Sequence, residues 1–142
     1  MNPDDVIRSF IAIEISDEVR AGLKALQQDL KKAGARVGWV APESLHLTLV
    51  FLGDVFRSQI EPLAKILDAA AAEIVPFCYE VVGSGFFGSP RSPRIIWAGV
   101  NEKGNAVREL QARIAAGVRE IGLKTEDRPF CPHLTLGRVR TR

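Results

Sequence analysis

Hydrophobic residues recur at two different spacings along this chain, and the change between the spacings predicts an ordered series of strands and helices. Short runs of apolar, β-branched or aromatic residues predict strands over 7–15, 36–40, 46–52, 77–87 and 94–100, and a last strand beginning at His133. Apolar residues three or four apart predict amphipathic helices from Ser16 to Gly34, from Ser58 to Pro76 and from Val107 to Gly122. This order predicts the α+β class, with antiparallel sheets that carry helices on their outer faces.

Local signals refine the ends of these elements. Ser16 is a suitable N-cap for the first helix, and Gly53-Asp54 is expected to end the first motif strand. Ser58-Gln59-Ile60-Glu61 has the spacing of a capping box, and we expect it to open the second helix. The stretch from Gly88 to Pro93 predicts a loop between two strands.

Both histidines of the chain lie in identical stretches, His46-Leu47-Thr48-Leu49 and His133-Leu134-Thr135-Leu136. In a strand, side chains alternate between faces, so each stretch presents an imidazole and a hydroxyl on one side and leucines on the other. A lone histidine in such a strand is usually structural, but a core has no need of the same imidazole and hydroxyl twice. We therefore predict one site, in a cleft into which both motif strands look.

Two facing imidazoles suit displacement at phosphorus. An imidazole has an ordinary pKa of about 6.5, so one ring can remove a proton from water while the other protonates the departing oxygen. Threonine hydroxyls beside them can donate hydrogen bonds to phosphate oxygens, where charge develops. The two motifs are chemically equivalent, so the residues alone do not assign acid and base.

Other chemistries fit the residues less well. A catalytic zinc needs three protein ligands, and neither motif contains a carboxylate. No Gly-x-Ser-x-Gly turn accompanies either histidine, which disfavours a Ser-His-Asp hydrolase. Cys78 and Cys131 lack metal-ligand spacing, and we expect both to be small buried hydrophobes rather than nucleophiles. We predict no metal and no cofactor.

Length and charge change this interpretation only a little. The chain has 142 residues, which we expect to form a single domain, 1–142, of two lobes with one motif each. We expect no membrane contact, a cytoplasmic location and a monomer. The formal charge is +2, but arginines gather beside the second motif and in the loop before it, which favours an anionic substrate: Arg91, Arg94, Arg128, Arg138, Arg140 and Arg142.

The motifs and their flanks resemble the 2H phosphoesterase superfamily, and in particular its bacterial and archaeal RNA 2′,3′-cyclic phosphodiesterases, also described as 2′-5′ RNA ligases. The similar stretches are Arg8-Ser9-Phe10-Ile11-Ala12-Ile13, Trp39 to Gly53, Pro93 to Val100, and Arg128-Pro129-Phe130-Cys131-Pro132-His133-Leu134-Thr135-Leu136-Gly137-Arg138. The resemblance covers nearly the whole chain.

The resemblance implies a bilobal fold with pseudo-twofold symmetry, a central cleft between antiparallel sheets, and no metal. It implies hydrolysis of a ribose 2′,3′-cyclic phosphate at an RNA end, or in a cyclic nucleotide, to a 2′-phosphate. In that reaction His46 is the proton donor, His133 is the proton acceptor, and Thr48 and Thr135 bind the phosphate. The alternatives are a 2′-5′ ligase, a phosphodiesterase for another cyclic phosphate such as that of ADP-ribose, and a non-catalytic module that binds RNA ends.

Three further residues are candidates for substrate binding. Arg128 precedes the second motif strand, and Phe10 and Phe130 could stack on a base. Arg138 and Arg140 point away from His133 if the alternation of the strand continues through Gly137, whereas a bulge there reverses their direction. We therefore prefer Arg128 as the substrate-binding cation.

Overall fold

A computed structural model of the chain describes residues 5–140, and over that range it has the predicted α+β class. The elements are β1 (Val6–Ile13), α1 (Asp17–Lys31), β2 (Val37–Trp39), β3 (Leu47–Phe56), α2 (Ile60–Ala72), β4 (Tyr79–Ser89), β5 (Ser92–Glu102), α3 (Ala106–Glu120) and β6 (His133–Val139), with single 3-10 turns at Pro42–Ser44 and Arg57–Gln59. Within the described residues, no helix is both long enough and apolar enough to span a membrane. Contacts divide the described residues into two units.

The first unit combines the described chain up to Ala12 with Thr48–Cys78 and Glu102–Cys131. It contains the two-stranded sheet β1-β3 and the helices α2 and α3. Its core includes the inward residues Leu63 of α2 and Val107 and Val118 of α3. A Cβ at Gly117 of α3 would lie 2.6 Å from Cγ2 of Ile66 on α2, so the glycine allows the helices to approach closely.

The second unit combines Ile13–Leu47, Tyr79–Asn101 and the described chain from Pro132 onward. It contains α1 and a four-stranded sheet of order β2-β6-β5-β4. β6 is an interior strand, and it pairs antiparallel with β2 through Gly38↔Arg138 and with β5 through Gly99↔His133. The strand that begins at the second histidine is therefore held by ladders on both sides.

Helix α1 has the ends that its sequence predicts. The Oγ of Ser16 accepts a hydrogen bond from the backbone N–H of Val19 at 3.2 Å, which satisfies one of the free donors of the first turn. The helix ends at Lys31, and Gly34 follows with φ +77°, a left-handed conformation that glycine adopts without strain.

Three local predictions are wrong in detail. Gly53 does not end the first motif strand, because this glycine adopts a φ of +68° without strain and β3 continues through it to Phe56. The predicted loop is shorter, because β4 extends to Ser89 and β5 begins at Ser92. The second helix begins at Ile60 rather than near Ser58, because the 3-10 turn Arg57–Gln59 precedes it, and the Gln59 Oε1 accepts from the Phe56 N–H at 2.8 Å.

Candidate active site

The two motifs have the same pattern of exposure. His46, Thr48, His133 and Thr135 are each partly exposed, whereas the leucines that alternate with them are buried. Leu47, Leu134 and Leu136 are 0% exposed and Leu49 is 5% exposed. Each motif therefore fixes its leucines in a core and leaves an imidazole and a hydroxyl accessible, as the alternation predicts.

His133 is the first residue of β6 and pairs across the sheet with Gly99 of β5. Its ring meets the ring of Phe87 from β4 edge to face, with centroids 4.9 Å apart and planes at 89°. Phe87 also contacts the indole of Trp97, at a centroid distance of 5.6 Å. Rigid strands and an aromatic neighbour therefore limit the orientations that the His133 ring can take.

His46 lies one residue before β3, after the 3-10 turn Pro42–Ser44. A ring N–H of His46 donates to the backbone carbonyl of Ser44, and the Arg20 guanidinium acts on the ring from α1. Burial lowers the pKa of His46 below the ordinary value of 6.5, and the Arg20 charge lowers it further against the opposing effect of the Ser44 carbonyl. With one ring nitrogen committed to Ser44, the other is the one that can exchange a proton with a substrate.

Both histidines belong to the second unit, and so does Thr135, which pairs with Trp97 across the sheet. Thr48 belongs to the first unit and is the second residue of β3. The predicted arrangement of one motif in each of two pseudo-symmetric lobes stays a prediction, as do the roles of the four side chains.

A β-bulge follows Thr135. Trp97 pairs with Thr135 and Ile96 pairs with Gly137, so Leu136 is an extra residue on β6. Leu136 and Gly137 are consequently both buried, and the alternation after them is reversed. Arg138 returns to the face of β6 that carries His133, which removes the reason for preferring Arg128 over it.

Comparison with known proteins identifies the family. The model of the family described as LigT-like phosphoesterase matches residues 13–97 and 99–142. The chain belongs to the LigT-like phosphoesterase family. The resemblance to 2H phosphoesterases is thereby confirmed.

Relatives within the LigT-like family include an RNA 2′,3′-cyclic phosphodiesterase of Geobacillus stearothermophilus, 35% identical over 129 residues, which are 91% of this chain and 41% of that protein. A protein of the same name from Methanothermobacter thermautotrophicus is 34% identical over 134 residues, covering 94% of this chain and 72% of that protein. The crystal structure of TT0787 from Thermus thermophilus has a TM-score of 0.85 at 29% identity, covering 96% of this chain and 76% of that one. The chain is thus shorter than each of these LigT-like relatives.

The remaining candidates lie in the first unit of this LigT-like phosphoesterase. Arg128 is exposed on the connection before β6, and Phe130 is partly exposed. Phe10 is 48% exposed and contacts Phe51, with ring centroids 6.3 Å apart. Their binding roles stay predictions. Phe87 was not identified from the sequence as a neighbour of His133. A usable signal was its place in a predicted strand that is followed by a second, strongly apolar strand.

Residues 5–140 contain no group of three or more His, Cys, Asp or Glu side chains placed to hold a metal ion. The cysteines differ from expectation, since Cys78 and Cys131 are both exposed rather than buried. Cys131 lies on the connection that leads into β6, and Cys78 directly precedes β4, where neighbouring elements do not cover them.

Proposed function

We propose that this LigT-like phosphoesterase hydrolyses ribose 2′,3′-cyclic phosphates at RNA ends to 2′-phosphates, without a metal ion. The observation that carries the proposal is the matched exposure of His46 with Thr48 and of His133 with Thr135 above buried leucines. The names of its relatives supply the substrate class. RNA ends and small cyclic nucleotides are therefore the partners expected of this site.

The reaction needs one proton removed and one supplied. His133 accepts a proton from water, and the water oxygen forms a bond to phosphorus. The bond between phosphorus and the 3′-oxygen breaks, and His46 gives its proton to that oxygen. The products are a 2′-phosphate and a free 3′-hydroxyl. Each imidazole is expected to contribute on the order of 10²–10⁴ to the rate.

The lowered pKa of His46 allows the pH dependence of kcat/KM to test whether this residue is the donor or the acceptor. A proton donor must be protonated, and the protonated fraction of His46 in the free protein falls as the pH rises through its lowered pKa. If His46 is the donor, kcat/KM is therefore lost on the alkaline side of that pKa. If His46 is the acceptor, kcat/KM is lost on the acid side.

Thr48 and Thr135 are proposed to bind the phosphate. Each lies two residues after a histidine and is partly exposed between buried leucines. Hydrogen bonds to the non-bridging oxygens stabilise the charge that develops there in the transition state. Arg138, on the His133 face of β6, and Arg128 are the two candidate cations for the rest of the RNA end.

Hydrolysis of a 2′,3′-cyclic nucleotide in excess EDTA tests the function, with the product isomer identified by chromatography. Turnover to the 2′-phosphate supports the proposal, and loss of turnover in the chelator contradicts it. Binding without turnover supports a non-catalytic module that recognises RNA ends. Faster turnover of ADP-ribose cyclic phosphate, or joining of RNA ends, supports one of the other enzymatic alternatives.

We also propose that the enzyme acts as a monomer in the cytoplasm. Light scattering after size-exclusion chromatography tests the first part, since a dimer would give twice the molar mass of a single chain. Cell fractionation tests the second part.

A further inference from the structure

Two polar side chains lie on the packing face of α1, where apolar side chains are expected. Gln27 is 3% exposed, although it lies between the inward residues Leu23 and Leu30. Arg20 is partly exposed and precedes Gln27 by two helical turns, so both side chains project from one face. A buried amide is costly unless its donors are satisfied, so the partners of these side chains indicate what they do.

Gln27 joins the segments that carry the two histidines. Its Nε2 donates to the carbonyl oxygen of Val40 at 2.8 Å and to that of Leu136 at 2.9 Å. Val40 is six residues before His46, and Leu136 is the bulge residue three positions after His133. The Val40 N–H also donates to the Leu136 carbonyl at 2.9 Å. One buried amide therefore ties the approach to the first motif to the strand of the second.

Arg20 holds the next stretch of the same approach. Its Nη1 donates to the carbonyl oxygens of Pro42 at 2.7 Å and Leu45 at 3.2 Å, at the two ends of the turn that precedes His46. Its Nη2 lies 3.4 Å from the Ile15 carbonyl. A planar guanidinium can reach three carbonyls at once because its donors are fixed in a fork, which an ammonium group cannot match.

The contacts of Arg20 and Gln27 explain how the segment between β2 and β3 is held in place, although it lies outside any sheet. Residues 40–46 contain a single 3-10 turn, so ladder hydrogen bonds do not set the position of His46. Arg20 and Gln27 supply that restraint from a helix. Displacement of a reacting group by about 1 Å can reduce a rate by about a hundredfold, so such a restraint matters for catalysis.

We propose that α1 is the positioning element of the site, with Gln27 joining the two motif-bearing segments and Arg20 fixing the turn that precedes His46. The proposal rests on the proposed function for its kinetic consequences, although its structural consequences can be measured without turnover. Neither side chain is assigned contact with substrate.

The test compares Arg20→Gln, Arg20→Lys and Gln27→Met with matched controls on the exposed face of the same helix. Lys24→Gln removes a charge from α1, and Gln28→Met makes the same exchange at an exposed glutamine. The chain has two histidines, so the imidazole region of its NMR spectrum contains two ring systems that can be titrated individually. Kinetics on a 2′,3′-cyclic nucleotide are measured on the same samples.

We expect Gln27→Met to lower kcat by about ten- to a hundredfold, with KM changed much less, and to shift the ring signals of both histidines. Arg20→Gln should lower kcat similarly and raise the pKa of His46, because a positive charge beside that ring is lost. Arg20→Lys should restore the titration of His46 but not the full kcat, which separates charge from geometry. The two controls should leave rate and spectra unchanged.

Unchanged ring signals and kcat in Gln27→Met and Arg20→Gln, with only a lower melting temperature, would overturn the proposal and leave these residues a purely structural role. If Gln27→Met does not fold, Gln27→Asn keeps the amide one methylene shorter and is expected to show the same shifts. If the wild-type protein hydrolyses no cyclic phosphate, the proposed function fails, and the ring signals alone still decide whether α1 positions the histidines.

Discussion

Gly85 of β4 offers a sharp test of the packing beside His133. A Cβ at Gly85 would lie 2.4 Å from Cζ2 and 2.6 Å from Cη2 of Trp97. Within residues 5–140, the indole Nε1 of Trp97 is buried without a hydrogen-bond partner, so packing alone holds the ring. Gly85→Ala should therefore displace the indole, and with it Phe87, the ring that contacts His133.

The size of the effect follows from those distances. Carbon atoms in favourable contact are about 3.5–4.0 Å apart, so the indole of Trp97 must retreat by about 1 Å. Overpacking of this kind lowers the free energy of unfolding by about 1–3 kcal/mol. In a chain of this length the melting temperature should fall by roughly 3–10 °C. We expect kcat to fall by about tenfold, since Phe87 no longer holds His133 in place.

Urea unfolding and steady-state kinetics on a 2′,3′-cyclic nucleotide measure both effects. The control is Gly22→Ala, because a Cβ at Gly22 in α1 meets no atom within 4 Å. That change should raise the free energy of unfolding by about 0.5–1 kcal/mol, as expected for glycine within a helix. Trp97→Phe removes the atoms that clash. The double variant with Gly85→Ala should therefore be destabilised by at least about 1 kcal/mol less than the sum of the two single variants.

Gly85→Ala with a free energy of unfolding within about 0.5 kcal/mol of the wild type would refute this reasoning, since surface changes alone stay within that range. Additive effects of Gly85→Ala and Trp97→Phe would also refute it, because they would show that the two side chains do not compete for space.

Three further predictions concern other parts of the chain. Because the pKa of His46 is lower in the folded state, this residue contributes stability that is present above about pH 6.5 and is lost as the pH falls towards the folded-state pKa. Between pH 7.5 and 5, the free energy of unfolding of His46→Gln should therefore fall less than that of the wild type. Equal losses in the two proteins would contradict this prediction. Thr48→Val and Thr135→Val should each lower kcat by about 10²-fold with the fold retained by circular dichroism, and a kcat within twofold would remove the threonine from the site. Near the start of α3, Glu102 Oε1 accepts from the Val107 N–H at 2.9 Å. Glu102→Ala should therefore lower the free energy of unfolding, measured in urea, by about 1 kcal/mol. An unchanged free energy of unfolding would show that this cap does not stabilise the helix.

Features that depend on neighbours in sequence could be predicted from the sequence. Ser16 caps α1 because the N–H that its oxygen accepts from is three residues away. The leucines of both motifs are buried because strand alternation is set by the local backbone. The same local reasoning located the candidate histidines, and the repetition of their context separated them from ordinary core residues.

Features that depend on the pairing of distant segments could not be predicted. The bulge at Leu136 is visible only in the register of β6 against β5, and it decides which way Arg138 points. Gln27 on an apolar helix face is an anomaly in the sequence, but its partner Leu136 is 109 residues away. Gly53 resembles a strand end in the sequence because a glycine in a turn and a glycine within a strand have the same sequence signal.

The most direct test of the account is the hydrolysis of a 2′,3′-cyclic nucleotide, in excess EDTA, by the wild-type protein and by His46→Ala and His133→Ala. Circular dichroism confirms that each variant is folded. We predict metal-independent turnover by the wild type and a loss on the order of 10²–10⁴ in kcat for each variant, because each imidazole moves a different proton. A variant that retains its fold and more than about a tenth of the wild-type kcat would contradict paired acid and base catalysis, since one imidazole would then be dispensable.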